Sequence, residues 1–130
     1  SALDHAIQYA KERKQFNKRI GDFQAIRFML ADCATELEAA RCLVYETNRR
    51  VDEEYPNLSR KTMAMVSMAK LFATDVAMKV TTDAVQIFGG YGYIKEYPVE
   101  RLMRDAKLYQ IADGTNQIQR MIIGSILMKS

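Results

Sequence analysis

Near the end of the chain, Asp113-Gly114-Thr115-Asn116-Gln117 sets a carboxylate, a glycine, a hydroxyl and two amides in direct succession. An apolar-periodic segment follows at Ile118, Met121 and Ile122. This is how a helix begins: Gly114 permits a tight turn, and Asp113, Thr115 or Asn116 can cap the first N–H groups. The same order puts one ionisable side chain beside unpaired backbone donors, which suit an anion or a polarised carbonyl. A plain capped helix and a reactive carboxylate are both open on this stretch alone.

Other chemistry-bearing types are sparse. Arg13 stands in the only dense basic cluster, with Lys11, Lys14, Lys18 and Arg19. No aromatic-interleaved basic stripe accompanies it, so a solvated helix end is a better reading than nucleic-acid binding. Gly89, Gly90 and Gly92 form a break after Gln86-Ile87-Phe88, without the preceding strand or the spacing of a Rossmann fingerprint. Cys33 and Cys42 lie nine residues apart, about two and a half helical turns, so they face opposite sides and cannot bridge each other. His5 is the only histidine and reads as a helix-surface residue, which leaves no basis for a Cys/His metal site.

The elements that must position these groups are helical almost throughout. A length of 130 residues, with 48% hydrophobic and 27% charged content and a net charge of +3, fits one globular domain with a real core. No apolar run approaches membrane-spanning length and no signal-peptide pattern opens the chain. A first helix spans about 2–14, beginning without a capping signal. A second spans about 21–54, with Phe23, Ile26, Leu30, Cys33, Leu37, Ala40 and Val44 at the 3-4 spacing of a helix packed nearly parallel to its neighbours. A third spans about 59–88, its stripe made by Val66, Ala69, Ala73, Val76, Val80, Ala84 and Ile87. Met63, Met65, Met68 and Phe72 widen that stripe, as burial against both its own bundle and a further subunit or domain requires. Shorter helices follow at about 98–109, with Pro98 in the first turn, and at 115–128. No period-2 segment competes, and the expected fold is all-α: an antiparallel four-helix-type bundle plus a shorter helix.

Several motifs occur together and in order: Arg13-Lys14-Gln15-Phe16, Phe23-Gln24-Ala25-Ile26, Glu38-Ala39-Ala40-Arg41, Gln86-Ile87-Phe88-Gly89-Gly90, Tyr97-Pro98-Val99-Glu100-Arg101, Arg104-Asp105-Ala106-Lys107, and Gly114-Thr115 through Ile118-Gln119-Arg120. With them the chain resembles, over essentially its whole length, the C-terminal helical domain of the flavin-dependent acyl-CoA dehydrogenases. Complete members of that family carry an N-terminal helical domain and a middle β domain ahead of this bundle, so the expected domain content is the C-terminal bundle at 1–130 without those two.

The resemblance implies a set of roles. Arg13 matches the arginine that pairs with the FAD pyrophosphate of a neighbouring subunit, and a guanidinium grips phosphate oxygens in pairs. Gln24 matches a position contacting the adenosine portion. Gln86, Ile87, Phe88, Gly89 and Gly90 match the segment that meets the dinucleotide end from the adjoining subunit, where paired glycines let backbone come close to a ligand. Thr115, Asn116 and Gln117 match positions at the flavin end, and Gly114 lies where backbone nears the acyl thioester.

Asp113 matches the base that removes the α-proton of the acyl-CoA, and is also the main departure. Many members have glutamate there; aspartate has the same chemistry with one methylene less reach. A misplacement of about 1 Å can cost on the order of a hundredfold in rate. Some branches place the base on an earlier helix instead. A second departure is Asn17, where glycine is common; asparagine tolerates the left-handed turn this position calls for.

Taken together, the expected parent enzyme oxidises an acyl-CoA substrate to the trans-2-enoyl thioester with FAD, passes electrons to an electron-transfer flavoprotein, and assembles as a homotetramer, a dimer of dimers. Neither nucleic acid, membrane nor metal enters this picture. The expected compartment is the bacterial cytoplasm or the mitochondrial matrix. The competing expectation is a non-catalytic helical oligomerisation module that kept the bundle and lost the chemistry.

Overall fold

The computed structural model describes residues 1–129 and is helical, as the periodicity predicts. Five α-helices follow in order: α1 (Ala2–Glu12), α2 (Gln24–Glu54), α3 (Arg60–Phe88), α4 (Val99–Ile111) and α5 (Asn116–Leu127). α3 is the central element, packed by each of the other four helices. Its buried positions Ala69, Val76, Val80, Ala84 and Ile87 carry out the expected stripe, and small residues among them allow close approach. Cys33 and Ala40 are the fully buried members of the α2 seam. A second layer of core joins Ala2, Ala6 and Ala10 of α1 to Ala84, Ile87 and Phe88 of α3 and to Val99 of α4, which is 0% exposed.

The boundaries correct the sequence reading in several places. Ser1 does cap α1: its hydroxyl accepts from the Asp4 N–H, and the Asp4 carboxylate reaches back, which makes a reciprocal capping box. α1 stops at Glu12, because Lys14–Gln15 and Lys18–Arg19 form a small antiparallel hairpin in place of a last helical turn. Phe16 and Asn17 both take positive φ at its tip, 52° and 62°. This is the geometry that matches the twist of two paired strands, and Asn17 supplies the residue type that tolerates it. A 3-10 turn, Ile20–Asp22, then delays the start of α2 to Gln24.

The apolar positions of α5 do not form core. Ile118, Met121 and Ile122 are 43%, 66% and 40% exposed, whereas the polar Asn116 and Gln119 are buried. Met63, Val66 and Phe72 of α3 are likewise exposed, so the outer edge of the wide stripe is uncovered on this chain.

Candidate functional site: a cleft and a carboxylate turn

The end of α1, the hairpin and the end of α3 enclose a cleft of about 480 Å³ whose lining includes Tyr9, Arg13, Ile87, Phe88, Gly89 and Gly90. Its floor is aromatic: Tyr9 stacks on Phe88 at 4.1 Å between centroids, and Tyr97 meets Phe88 edge-on at 5.5 Å. The Arg13 guanidinium lies 5.2 Å from the centre of the Tyr91 ring, a contact that steadies a cation without neutralising it. Burial pushes the Tyr9 phenol up, with Arg13 pulling partly the other way, so Tyr9 contributes a neutral wall.

The two glycines of the cleft differ. Gly89 follows α3 with φ 61° and ψ −138°, backbone that side-chain-bearing residues avoid. Gly90 has no positive φ, and a Cβ added there would meet nothing within 4 Å. The fold alone therefore does not demand glycine at Gly90; an approaching ligand would. One guanidinium, bare glycine backbone and an aromatic floor fit an anionic group carrying apolar rings, which is the character of a dinucleotide such as FAD.

The carboxylate turn lies between α4 and α5. Asp113 has φ 54° and Gly114 φ 83°, two consecutive left-handed residues. Thr115 supplies the cap, its Oγ accepting from the Ile118 N–H at 3.3 Å. The Asp113 side chain is exposed and takes no part in the hydrogen bonds or ion pairs of the described residues. Its backbone is held from below: the Gln119 Nε2 donates to the Asp113 and Gly114 carbonyls, both at 3.3 Å. Gly114 is tight on this amide, since an added Cβ would stand 3.0 Å from Gln119 Nε2.

Asn116 anchors the start of α5. Its side chain turns inward, 3% exposed, with Oδ1 accepting from Lys70 Nζ at 2.7 Å and Nδ2 donating to Asp75 Oδ1 at 2.7 Å. Its backbone N–H is left among the free donors of the helix start. Asp75 is the hub of this anchor, accepting also from Gln110 Nε2 at 2.7 Å and from Arg120 Nη2 at 3.1 Å.

The structure thus brings Arg13, Ile87, Phe88, Gly89 and Gly90 to one cleft, which Asp113, Gly114, Thr115, Asn116 and Gln117 do not line. Gln86 and Gln24 are exposed and, among the described residues, donate no side-chain hydrogen bond, Gln24 as the first residue of α2. Tyr9, Tyr91 and Gln119 were not singled out from sequence. Tyr9 carried a usable signal, since it precedes Arg13 by one helical turn and so shares its face. Gln119 carried none, because a polar residue inside an apolar-periodic helix reads as its wet side.

The chain is similar over nearly its whole length to known proteins. A family model described as "Acyl-CoA dehydrogenase, C-terminal domain" matches residues 1–128. The CarC subunit of the caffeyl-CoA reductase–Etf complex of Acetobacterium woodii is 52% identical over 128 residues, covering 98% of this chain and 32% of CarC. An acyl-CoA dehydrogenase of Bacillus subtilis is 53% identical over 98% of this chain and 32% of its own length. Among solved structures, butyryl-CoA dehydrogenase from Megasphaera elsdenii superposes with a TM-score of 0.91 at 50% identity, over 98% of this chain and 32% of that one. The chain spans about a third of the length of these relatives.

Proposed function

Because the chain belongs to the acyl-CoA dehydrogenase family, whose C-terminal helical domain it forms, we propose that it serves the α,β-desaturation of an acyl-CoA thioester to the trans-2-enoyl thioester in an FAD enzyme. The observation that carries this reading is Asp113: an unpaired, exposed carboxylate presented on a clamped left-handed turn beside the free N–H groups of a helix start. A carboxylate kept free of partners in the chain is available to accept a proton from a substrate.

In this reading Asp113 takes the α-proton onto a carboxylate oxygen. The Gly114 backbone next to it lies against the thioester, where an N–H donor favours the charge that develops on the carbonyl oxygen as the proton leaves. The FAD, when bound, supplies the acceptor for the β-hydride. Thr115, Gln117 and the Asn116 backbone attend the flavin end. Arg13 holds the pyrophosphate, and Gly89 and Gly90 admit the dinucleotide against the apolar wall of Ile87 and Phe88. Gln24 offers its exposed amide to the adenosine portion, and Gln86 meets the dinucleotide end with the rest of its segment.

Since the Arg13 cleft and the Asp113 turn have no lining residue in common, one chain serves two half-sites, which neighbouring subunits complete. The exposed Met63, Val66 and Phe72 of α3 suit such an assembly, a homotetramer. The name of the Acetobacterium relative, a subunit of a complex with Etf, supports an electron-transfer flavoprotein as redox partner. No described helix is long and apolar enough to cross a membrane, in keeping with work in the bacterial cytoplasm or the mitochondrial matrix.

The test is anaerobic mixing of the full-length enzyme with acyl-CoAs of graded chain length, followed by flavin absorbance. Bleaching with at least one of them is expected. No bleaching with any of them contradicts the reading and leaves a non-catalytic oligomerisation module.

A further inference from the structure

We propose that Gln119 is a positioning residue: its buried amide fixes the backbone turn that aims the Asp113 carboxylate. The inference rests on the reading of Asp113 as the base. Gln119 is 8% exposed, and its Nε2 donates to both carbonyls of the left-handed pair, Asp113 and Gly114. A non-glycine residue at φ 54° persists only where its surroundings hold it. The Thr115 cap reaches only into the helix, and the Asn116 anchor ties the first turn of α5 to α3. Gln119 is therefore the side chain that connects the anchored helix back to the turn ahead of it.

The shortness of aspartate makes this clamp matter. A glutamate has a third side-chain torsion with which to recover the position of its oxygens after a backbone shift. An aspartate has two, and the place of its carboxylate follows the backbone almost directly. Since about 1 Å of misplacement is felt on the order of a hundredfold in rate, a turn that rocks is costly here. The Gly114 Cα sits so close above the clamp that an added Cβ would stand 3.0 Å from Gln119 Nε2, so turn and amide are fitted to each other.

The experiment uses the full-length FAD enzyme and reads the rate of flavin bleaching per bound flavin at saturating acyl-CoA. Gln119→Met keeps the shape without the donor, and Gln119→Glu keeps the length with an acceptor in its place. Either is expected to slow bleaching about ten- to a hundredfold with KM changed less than about threefold. In an Asp113→Glu background the penalty of Gln119→Met is expected to shrink to within about threefold, because the longer side chain recovers its aim. A merely structural Gln119 gives the same penalty in both backgrounds, or loses FAD while the rate per bound flavin stays unchanged. Either result overturns the proposal. Asp113→Asn separates the two levels: if it bleaches at the parent rate, the reading of the base fails. If it is inactive while both Gln119 variants run at full rate, only the clamp fails.

Discussion

Tyr9 and Phe88 stack face to face, centroids 4.1 Å apart and planes 15° apart, so the first and third helices meet at the floor of the cleft that carries Arg13. Phe88 is 6% exposed, and with Val99 and Ala84 it makes the floor part of the core. The guanidinium is thus mounted on a rigid base while remaining open to a ligand. In the full-length enzyme Arg13→Ala is expected to weaken FAD retention tenfold or more, the loss of a charge-assisted contact worth about 1.5–3 kcal/mol. Arg13→Lys is expected to recover little, since a point charge does not reproduce the paired N–H geometry. Measuring FAD release by fluorescence checks both.

Three glycines separate fold from ligand. At Gly92 a Cβ would come 2.5 Å from the Val85 carbonyl oxygen, so Gly92→Ala is expected to destabilise by about 1–3 kcal/mol. At Gly124, inside α5, nothing lies within 4 Å, and Gly124→Ala is expected to stabilise by about 0.5–1 kcal/mol. At Gly90 the space is also open, so Gly90→Ala is expected to leave the unfolding midpoint unchanged while weakening FAD binding. Denaturant unfolding paired with flavin titration reads all three, and undisturbed FAD binding in Gly90→Ala would remove that glycine from the cofactor contact.

The turn between α2 and α3 carries an acid sensitivity. Glu54 accepts from the Ser59 N–H at 2.7 Å and from the Thr62 hydroxyl at 2.8 Å, and these bonds hold its carboxyl below the ordinary value of 4.5. A group whose folded value is depressed stabilises the fold above its unfolded value and loses that contribution as pH falls. Stability is therefore expected to decline between roughly pH 5 and pH 3, and less steeply in Glu54→Gln. Thermal melts of both proteins across that window check it; identical slopes would exclude Glu54.

The helical order was legible because α2 and α3 bury their seams against each other, so spacing at Cys33, Ala40, Val76, Val80 and Ala84 encodes burial directly. The hairpin at Lys14–Gln15 and Lys18–Arg19 was not, because both of its strands are exposed and need no apolar alternation. In α5 the apolar spacing marks a helix but not a buried face. Periodicity finds apolar residues but not what covers them, and here Ile118, Met121 and Ile122 stay exposed. The buried face of that helix is polar, and Asn116 and Gln119 are satisfied by α3 side chains and by turn carbonyls that no local pattern announces. The residues matched to cofactor and substrate came from family motifs; that Arg13 shares a cleft with Gly89 and Gly90 required the packing of α1 on α3.

Whether Asp113 is the proton acceptor is read by stopped-flow flavin absorbance of full-length Asp113→Asn mixed anaerobically with an acyl-CoA substrate. With FAD content and substrate binding intact, bleaching is expected to fall by about a thousandfold or more, the upper range for removing a general base. Bleaching at the parent enzyme's rate would contradict it and move the base to another carboxylate.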